Sequence, residues 1–413
     1  MKTNHLIIAF ALCAFQPLAH ISAQTSSSFS GISSDSAIQI IDQNIPEAEE
    51  ISVTYYDYYV IGRTNGDFFY LHSHPYFMGK PETHKLALGL DVTQFTRDAE
   101  YFLPETKGYT AVGAFVTPTL KYNPMEIISL EAGAQVLGIA GDDHRLHAKP
   151  VIRITYQPNE WLKLIGGTIY GNLNHSLYEP MYDFDRFFYN NQEDGFQIRI
   201  NKDWEHLNIT SDTWLNWENF LEPGEAEQEK FTIGSSNRFK FGSETKKMFQ
   251  IPLDIIGTHR GGQFTALQDT SLETLFNICT GVDWAINTHW RVTALAFGFK
   301  NNSNEIYTHF KDGYGLYPIV SFYDKNYSLS AGYWYGNGFI GARGSHLFMS
   351  VSKYDPAFTQ KERNMITGKW FYQHGIFGME AQAYYDLKES KMDFSFGLYL
   401  RFNHDFKLID RDI

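Results

Sequence analysis

Asn174-His175-Ser176 is followed by Asp183 and Asp185, so one stretch carries a hydroxyl, an imidazole and carboxylates. These are the parts of a Ser/His/Asp hydrolase, but such a triad is defined by geometry and not by closeness in sequence. No Gly-x-Ser-x-Gly nucleophile elbow accompanies them. The expectation from the sequence is therefore that the chain is not an enzyme. His72 and His74 stand at i, i+2 with His84 nearby, a spacing at which imidazoles on one strand face could share a metal. No cysteine or carboxylate joins them at a useful spacing, and they read as rim or lumen histidines. Asp183, Asp185, Glu193 and Asp194 could offer oxygens to Ca²⁺, although their spacing matches no EF-hand. No metal and no other cofactor is expected beyond that loop Ca²⁺.

The elements that must hold these residues are strands. Segments of about ten residues alternate apolar and polar side chains, the period-two signal of a sheet with two different faces. Ile128, Leu130, Ala132, Ala134 and Val136 oppose Ser129, Glu131, Gly133 and Gln135. Phe394, Phe396, Leu398, Leu400 and Phe402 oppose Asp393, Ser395, Arg401 and Asn403. The stretch 289–300 carries apolar residues on both faces and cannot be oriented. Tight turns at Asn123-Pro124, Pro158-Asn159, Lys202-Asp203, Asn287-Thr288 and Asp324-Lys325-Asn326 alternate with longer polar-aromatic loops. That alternation fits an up-and-down transmembrane β-barrel and does not suit a soluble sandwich. The hairpins from Tyr122-Asn-Pro and Tyr156-Gln-Pro match in pattern at an offset of 34 residues, which reads as shared turn geometry.

Composition excludes the main alternatives. The chain has 413 residues, a net charge of −13 and 16% aromatic residues. The acidic balance argues against a nucleic-acid binder, and the aromatic load against disorder. Lys2, the apolar run Leu6–Phe15 and Ile21-Ser22-Ala23, which fits a small-residue cleavage site, read as a secretory signal peptide over 1–23. Residues 24–50 read as a Ser-rich, acidic periplasmic leader, and 51–413 as the barrel. After the leader peptide only Cys279 remains, so no intramolecular disulfide can form. Beyond residue 23 no apolar run is long enough for a membrane helix.

Counting strands gives 16 to 18, with 18 favoured, because an even number is expected of such barrels. The count turns on two places: a strand pair at 53–78, and 364–386 read either as one long strand or as a hairpin at His374-Gly375. Taking polar faces inward, the lumen wall collects Lys121, Arg153, Lys163, Arg199, Arg238, Lys240, Arg291 and Arg401 with Glu131 and Asp283. A mixed, slightly basic wall suits a weakly selective pore; the same charges could simply pair across strands. The loop Leu177–Tyr189 is dense in rings: Tyr178, Tyr182, Phe184, Phe187, Phe188 and Tyr189, with Arg186 among them. It reads either as a constriction folded into the lumen and offering stacking surface to sugars, or as a loop packed on its own hydrophobic cluster or on lipopolysaccharide.

With the cleavable leader, the alternation, the turn and loop asymmetry and the terminal Phe394-x-Phe-x-Leu-x-Leu-x-Phe402 strand, the chain resembles a Gram-negative outer-membrane β-barrel of the porin type. Gln24 after the cleavage site is similar to envelope proteins of the Bacteroidota. The resemblance covers roughly residues 50–406, and the chain departs from it by running on to Ile413. It implies insertion by the barrel-assembly machinery, contact with outer-membrane lipids and lipopolysaccharide, and diffusion of small hydrophilic solutes such as anions or sugars. A docking, assembly or secretion barrel with envelope partner proteins is the alternative, followed by a barrel hydrolase and a soluble secreted β-protein.

Overall fold

The computed structural model describes residues 83–410 except 143–145, 221–227, 244–245, 262–271, 288, 305–308, 325, 353 and 356. The leader readings over 1–50, the pair at 53–78, and His72 and His74 lie outside the described residues. Sixteen antiparallel strands form a closed barrel. They are β1 (Lys85–Glu100), β2 (Tyr109–Met125), β3 (Ile128–Ile139), β4 (Leu146–Asn159), β5 (Leu162–Thr168), β6 (Asp194–Asp203), β7 (Leu207–Asn219) and β8 (Glu229–Ser243), followed by β9 (Lys246–Gly261), β10 (Glu273–Ala285), β11 (Trp290–Asn301), β12 (Asp312–Tyr323), β13 (Tyr327–Asn337), β14 (Glu362–His374), β15 (Phe377–Asp386) and β16 (Lys391–Asp410).

The favoured count of 18 is thus corrected to 16. The stretch 364–386 is a hairpin, not one strand; Gly375 takes φ +55° at its turn, where an L side chain would be strained. β1 closes directly on β16, from Lys85↔Asp410 to Glu100↔Phe394, so the ring has no place for a further pair. β16 runs past Phe402 because the residues as far as Asp410 find backbone partners on β1. Closure leaves no strand without a neighbour on each side, which is what backbone groups require where water is absent.

The side chains are distributed inside out. Ile152, Phe196, Leu329 and Phe396 face outward at 60%, 69%, 54% and 52% exposure, while Gln197, Arg199, Asp212 and Asp393 face inward and are buried. So continuous an apolar outer face far exceeds the patches of a soluble monomer and matches a hydrocarbon surround. No helix among the described residues is long and apolar enough to cross a membrane. The two hairpins that share a sequence pattern also share a bulge, at Tyr122/Met125 and at Tyr156/Asn159. Short turns, such as 126–127 and 160–161, gather at the end holding both barrel termini. Longer connections, including 169–193 and 338–361, gather at the other.

Candidate functional site

Two long connections turn into the lumen. The first, 169–193, holds a 3₁₀ turn at Asn172–His175 and a short helix, α1 (Arg186–Tyr189). The second, 338–361, holds a 3₁₀ turn at His346–Phe348. Tyr178, Met181, Tyr182, Phe339, Ile340 and Phe348 pack with inward wall residues Phe297, Tyr317, Trp334 and Tyr384 into one buried cluster. Trp334 meets Phe339 and Phe348 edge-on, each at 5.2 Å. Phe184, Phe187 and Phe188 pack with Phe95, Phe115 and Tyr399 into a second. The both-faced apolar pattern of 289–300 is now explained. Val292, Ala294 and Ala296 face out, while Leu295, Phe297 and Phe299 face in and meet an apolar plug where other strands meet polar groups.

The two loops bind each other. Asp183 N–H donates to the Arg343 carbonyl at 2.7 Å, and Ser345 N–H to the Glu179 carbonyl at 3.0 Å. Gly341 and Gly344 allow the Pro180 carbonyl to approach; a Cβ at either would stand 2.3 or 2.0 Å from that oxygen. The wall then holds both loops through charges. Lys369 pairs with Glu179, whose other oxygen accepts from Tyr384 at 2.7 Å. Arg97 bridges Asp185 at 3.0 Å and Glu380 at 2.6 Å. Asn277 donates to the Ile340 carbonyl at 2.8 Å and accepts from Ala342 N–H at 2.6 Å. Arg363 reaches Glu105 and the carbonyls of Leu347 and Met349. The anchoring by 338–361 was missed from sequence.

His175 is fully buried. Its ring stacks on Trp214 at 3.5 Å, with Nδ1 3.1 Å from Asp212 and Nε2 3.0 Å from Glu193. Burial pulls its pKa down, but Glu193 and Asp212 together raise it above the ordinary histidine value. Burial likewise pushes against the Glu193 carboxylate, and His175 beside it holds Glu193 below the ordinary value. Both ring nitrogens face carboxylates at hydrogen-bonding distance, so neither is open to a substrate proton. Ser176 completes no triad; its carbonyl accepts from Arg238 at 2.6 Å. His175 therefore fastens the loop to the wall.

The candidate loop acids do not converge. Asp185 turns to Arg97, Glu193 to His175 and Tyr182, and Asp194 to Thr168 at 2.8 Å. Burial and the Asp185 carboxylate push Asp183 up to about 7. No cluster of three metal-ligating side chains occurs among the described residues.

The residues predicted to line the lumen separate into three groups. Lys121, Glu131, Arg153 and Arg401 line a polar cleft of about 150 Å³ between the wall and loop 169–193, together with Asp91 and Tyr170. Arg153 pairs with Glu131 at 2.7 Å and covers the Tyr170 ring at 3.8 Å; Arg401 pairs with Asp91 at 3.0 Å. Arg199 and Arg238 reach the plug through the carbonyls of Asn174 and Ser176. Lys163 sits beside Arg199 in register, and Arg291, Asp283 and Lys240 are buried in the wall, with Arg291 on Asp283. Of the aromatic loop residues, Tyr178, Tyr182, Phe184, Phe187 and Phe188 are buried in the plug, and Tyr189 is exposed. Arg186 lies 5.6 Å from the Tyr182 ring.

One pair lies outside the lumen. His259 on β9 and Thr274 on β10 face each other in register, with His259 Nδ1 3.1 Å from Thr274 Oγ1. Their side chains leave the outward face, because Thr258 and Ile256 are the buried, inward residues of that strand.

The barrel is similar in fold to several outer-membrane proteins. OmpF of Salmonella typhi is 9% identical with a TM-score of 0.49, over 79% of this chain and 99% of that one. The loop L8 deletion mutant of OmpT from Vibrio cholerae is 8% identical with a TM-score of 0.47, over 77% and 99%. OprD of Pseudomonas aeruginosa is 9% identical with a TM-score of 0.44, over 79% and 95%. A comparison with curated proteins gives no match. A family model described as lipid A 3'-O-deacylase-type matches residues 78–411, the whole barrel. This is a family of enzymes, and the match overturns the expectation of a non-enzymatic chain: the protein belongs to the lipid A 3'-O-deacylase-type family.

Proposed function

We propose that this protein is a hydrolase of a Gram-negative outer membrane that releases an ester-linked acyl chain from a lipid A-type glycolipid. The family match over 78–411 carries the reading. The fold supports it in two ways. The apolar outer wall seats the barrel in a bilayer and places the long connections at one membrane face, where a glycolipid of the outer leaflet would meet them. The plug of 169–193 and 338–361 makes the upper lumen a packed core. Insertion by the barrel-assembly machinery and contact with lipopolysaccharide belong to the same proposal. The test uses purified, folded protein with vesicles containing lipid A. Free fatty acid appearing with a lipid A lighter by one acyl chain supports the reading, and unchanged lipid A refutes it.

The cleft beside β1–β4 favours a second reading, the passage of small hydrophilic solutes along the β1 side of the plug. Steady conductance steps in planar bilayers would support it, and a folded barrel that never conducts would refute it.

A further inference from the structure

The ring of strands is closed, but it is not equally tall all round. β5 has 7 residues. At about 3.3 Å per residue and a tilt of about 40°, it rises about 18 Å, short of the apolar band of about 25 Å on such a barrel. Its ladder with β6 adds one last bond, Ile169 N–H to the Glu193 carbonyl at 2.9 Å, before 169–193 turns into the lumen. β4 continues upward without it. The β4–β5 register begins at Arg153↔Gly167, so among the described residues 146–152 pair with β3 alone. On the far bank, β7 runs on past Gly195↔Asn216 to Asn219. The wall therefore has a gap at the long-loop end, between the upper halves of β4 and β7.

β4 is suited to an open edge. The Pro150 carbonyl and the Ile152 N–H both turn toward the gap, where Gln192 Nε2 donates to the first at 2.7 Å and Thr168 Oγ1 accepts from the second at 3.2 Å. Proline has no N–H to leave unpaired on that side, which is why sheets confine it to such edges. Backbone that leaves the ladder at membrane depth is tolerated where it lines a water-filled cavity. The polar cleft lies directly behind the gap and shares Val151, Arg153, Thr168, Ile169 and Gln192 with it. At about 150 Å³ it has room for about ten waters.

Lipid and water thus meet at one place. The lipid side is apolar. Gly166 is a bare floor, where a Cβ would meet nothing nearer than the Phe196 ring at 3.8 Å. Ile152 and Phe196 flank it, both exposed, and Trp217 stands higher on the far bank. The cleft side is polar and carries a cation: Lys149, exposed on the inward face of β4, reaches Asn190 Oδ1 at 3.5 Å. A lipid with apolar chains and an anionic head, held in the outer leaflet, matches both sides.

We propose that this gap is a lateral portal for an anionic glycolipid of the outer leaflet. One acyl chain lies against Ile152, Gly166 and Phe196, and the ester and headgroup reach the mouth of the polar cleft beside Lys149 and Gln192. This deepens the hydrolase reading and rests on it.

The experiment places the full, folded chain in vesicles with lipid A carrying a diazirine in one ester-linked acyl chain, or with phosphatidylethanolamine carrying the same chain. Photolysis is followed by peptide mass spectrometry, and fatty-acid release is measured in parallel. Gly166→Trp fills the floor of the gap, and Ala294→Trp adds the same bulk to the outer face of β11. Labelling by the glycolipid is expected to concentrate on β4, β5 and β6 around the gap. Gly166→Trp should lose that labelling and release fatty acid about tenfold or more slowly, while Ala294→Trp matches the parent. Labelling of the parent spread evenly around the barrel, or release by folded Gly166→Trp at the parent rate, overturns the portal and leaves the hydrolase reading standing. Equal labelling of the gap by the phospholipid overturns the glycolipid as its occupant. Labelling confined to the gap without any release by the parent supports the portal and overturns the hydrolase reading.

Discussion

Replacing His175 by Ala tests whether that imidazole fastens loop 169–193 to the wall. The side chain is fully buried between Asp212 at 3.1 Å and Glu193 at 3.0 Å and stacks on Trp214. Its removal leaves two buried carboxylates facing a cavity. Breaking a buried ion pair by deleting one partner costs about 3–5 kcal/mol, and the lost ring stacking adds about 0.5–1.5 kcal/mol. The sum, about 3.5–6.5 kcal/mol, is a large part of an ordinary folding free energy of about 5–15 kcal/mol. Urea unfolding of the barrel in lipid vesicles, read against pH, measures it. His175 is raised in the folded state, so its stabilisation is fully present below the unfolded value of about 6.5 and is lost as pH rises through the folded value. The gap between parent and variant should therefore be widest in mild acid and narrow in alkali. A gap below about 1 kcal/mol, or one that widens with rising pH, would refute the reasoning. Inserted His175→Gln should still release fatty acid; its loss in a folded variant would return His175 to the reacting centre.

Trp334→Ala removes a fully buried ring from the plug and should cost about 3–5 kcal/mol in the same unfolding experiment. Gly234→Ala places a Cβ 2.2 Å from the Trp214 ring, which must move off His175; a loss of about 1–3 kcal/mol and a shift in tryptophan emission are expected. Asp183, raised to about 7, makes the fold less stable as pH rises from about 4, the unfolded carboxylate value, to about 7. Asp183→Asn should match the parent near pH 4 and exceed it above pH 7, as read by the unfolding midpoint at each pH.

The strands were legible because one physical rule governs them. A wall between lipid and a polar interior must alternate, so Ile152, Ile154 and Tyr156 separate cleanly from Arg153 and Thr155. The rule fails on β11, where the plug makes the interior apolar and both faces carry Phe, Leu or Ala. The strand count stood too high although 364–386 holds two strands and not one; it allowed a pair at 53–78, whereas β1 closes directly on β16 and the ring is complete at sixteen. The aromatic loop was visible as an excess of rings, and these rings pack inside the barrel in two hydrophobic clusters. Loop 338–361 gave less warning, because Phe339, Ile340, Leu347 and Phe348 resemble strand residues in composition. His175 attracted attention as a candidate base, yet its partners lie 18 and 37 residues away, so only the fold reveals both nitrogens as occupied. The pairing of His259 with Thr274 is set by the β9–β10 register, which sequence spacing does not specify. Enzyme class was hidden for the same reason: no contiguous motif announces it, and it entered through similarity over the whole barrel.

The most direct measurement of the central claim is mass spectrometry of lipid A extracted from Gram-negative cells with and without this protein in the outer membrane. The hydrolase reading predicts a species lighter by one ester-linked acyl chain, present only when the protein is expressed and folded. Identical lipid A from both cultures, with the folded barrel verified in the outer-membrane fraction, would contradict it.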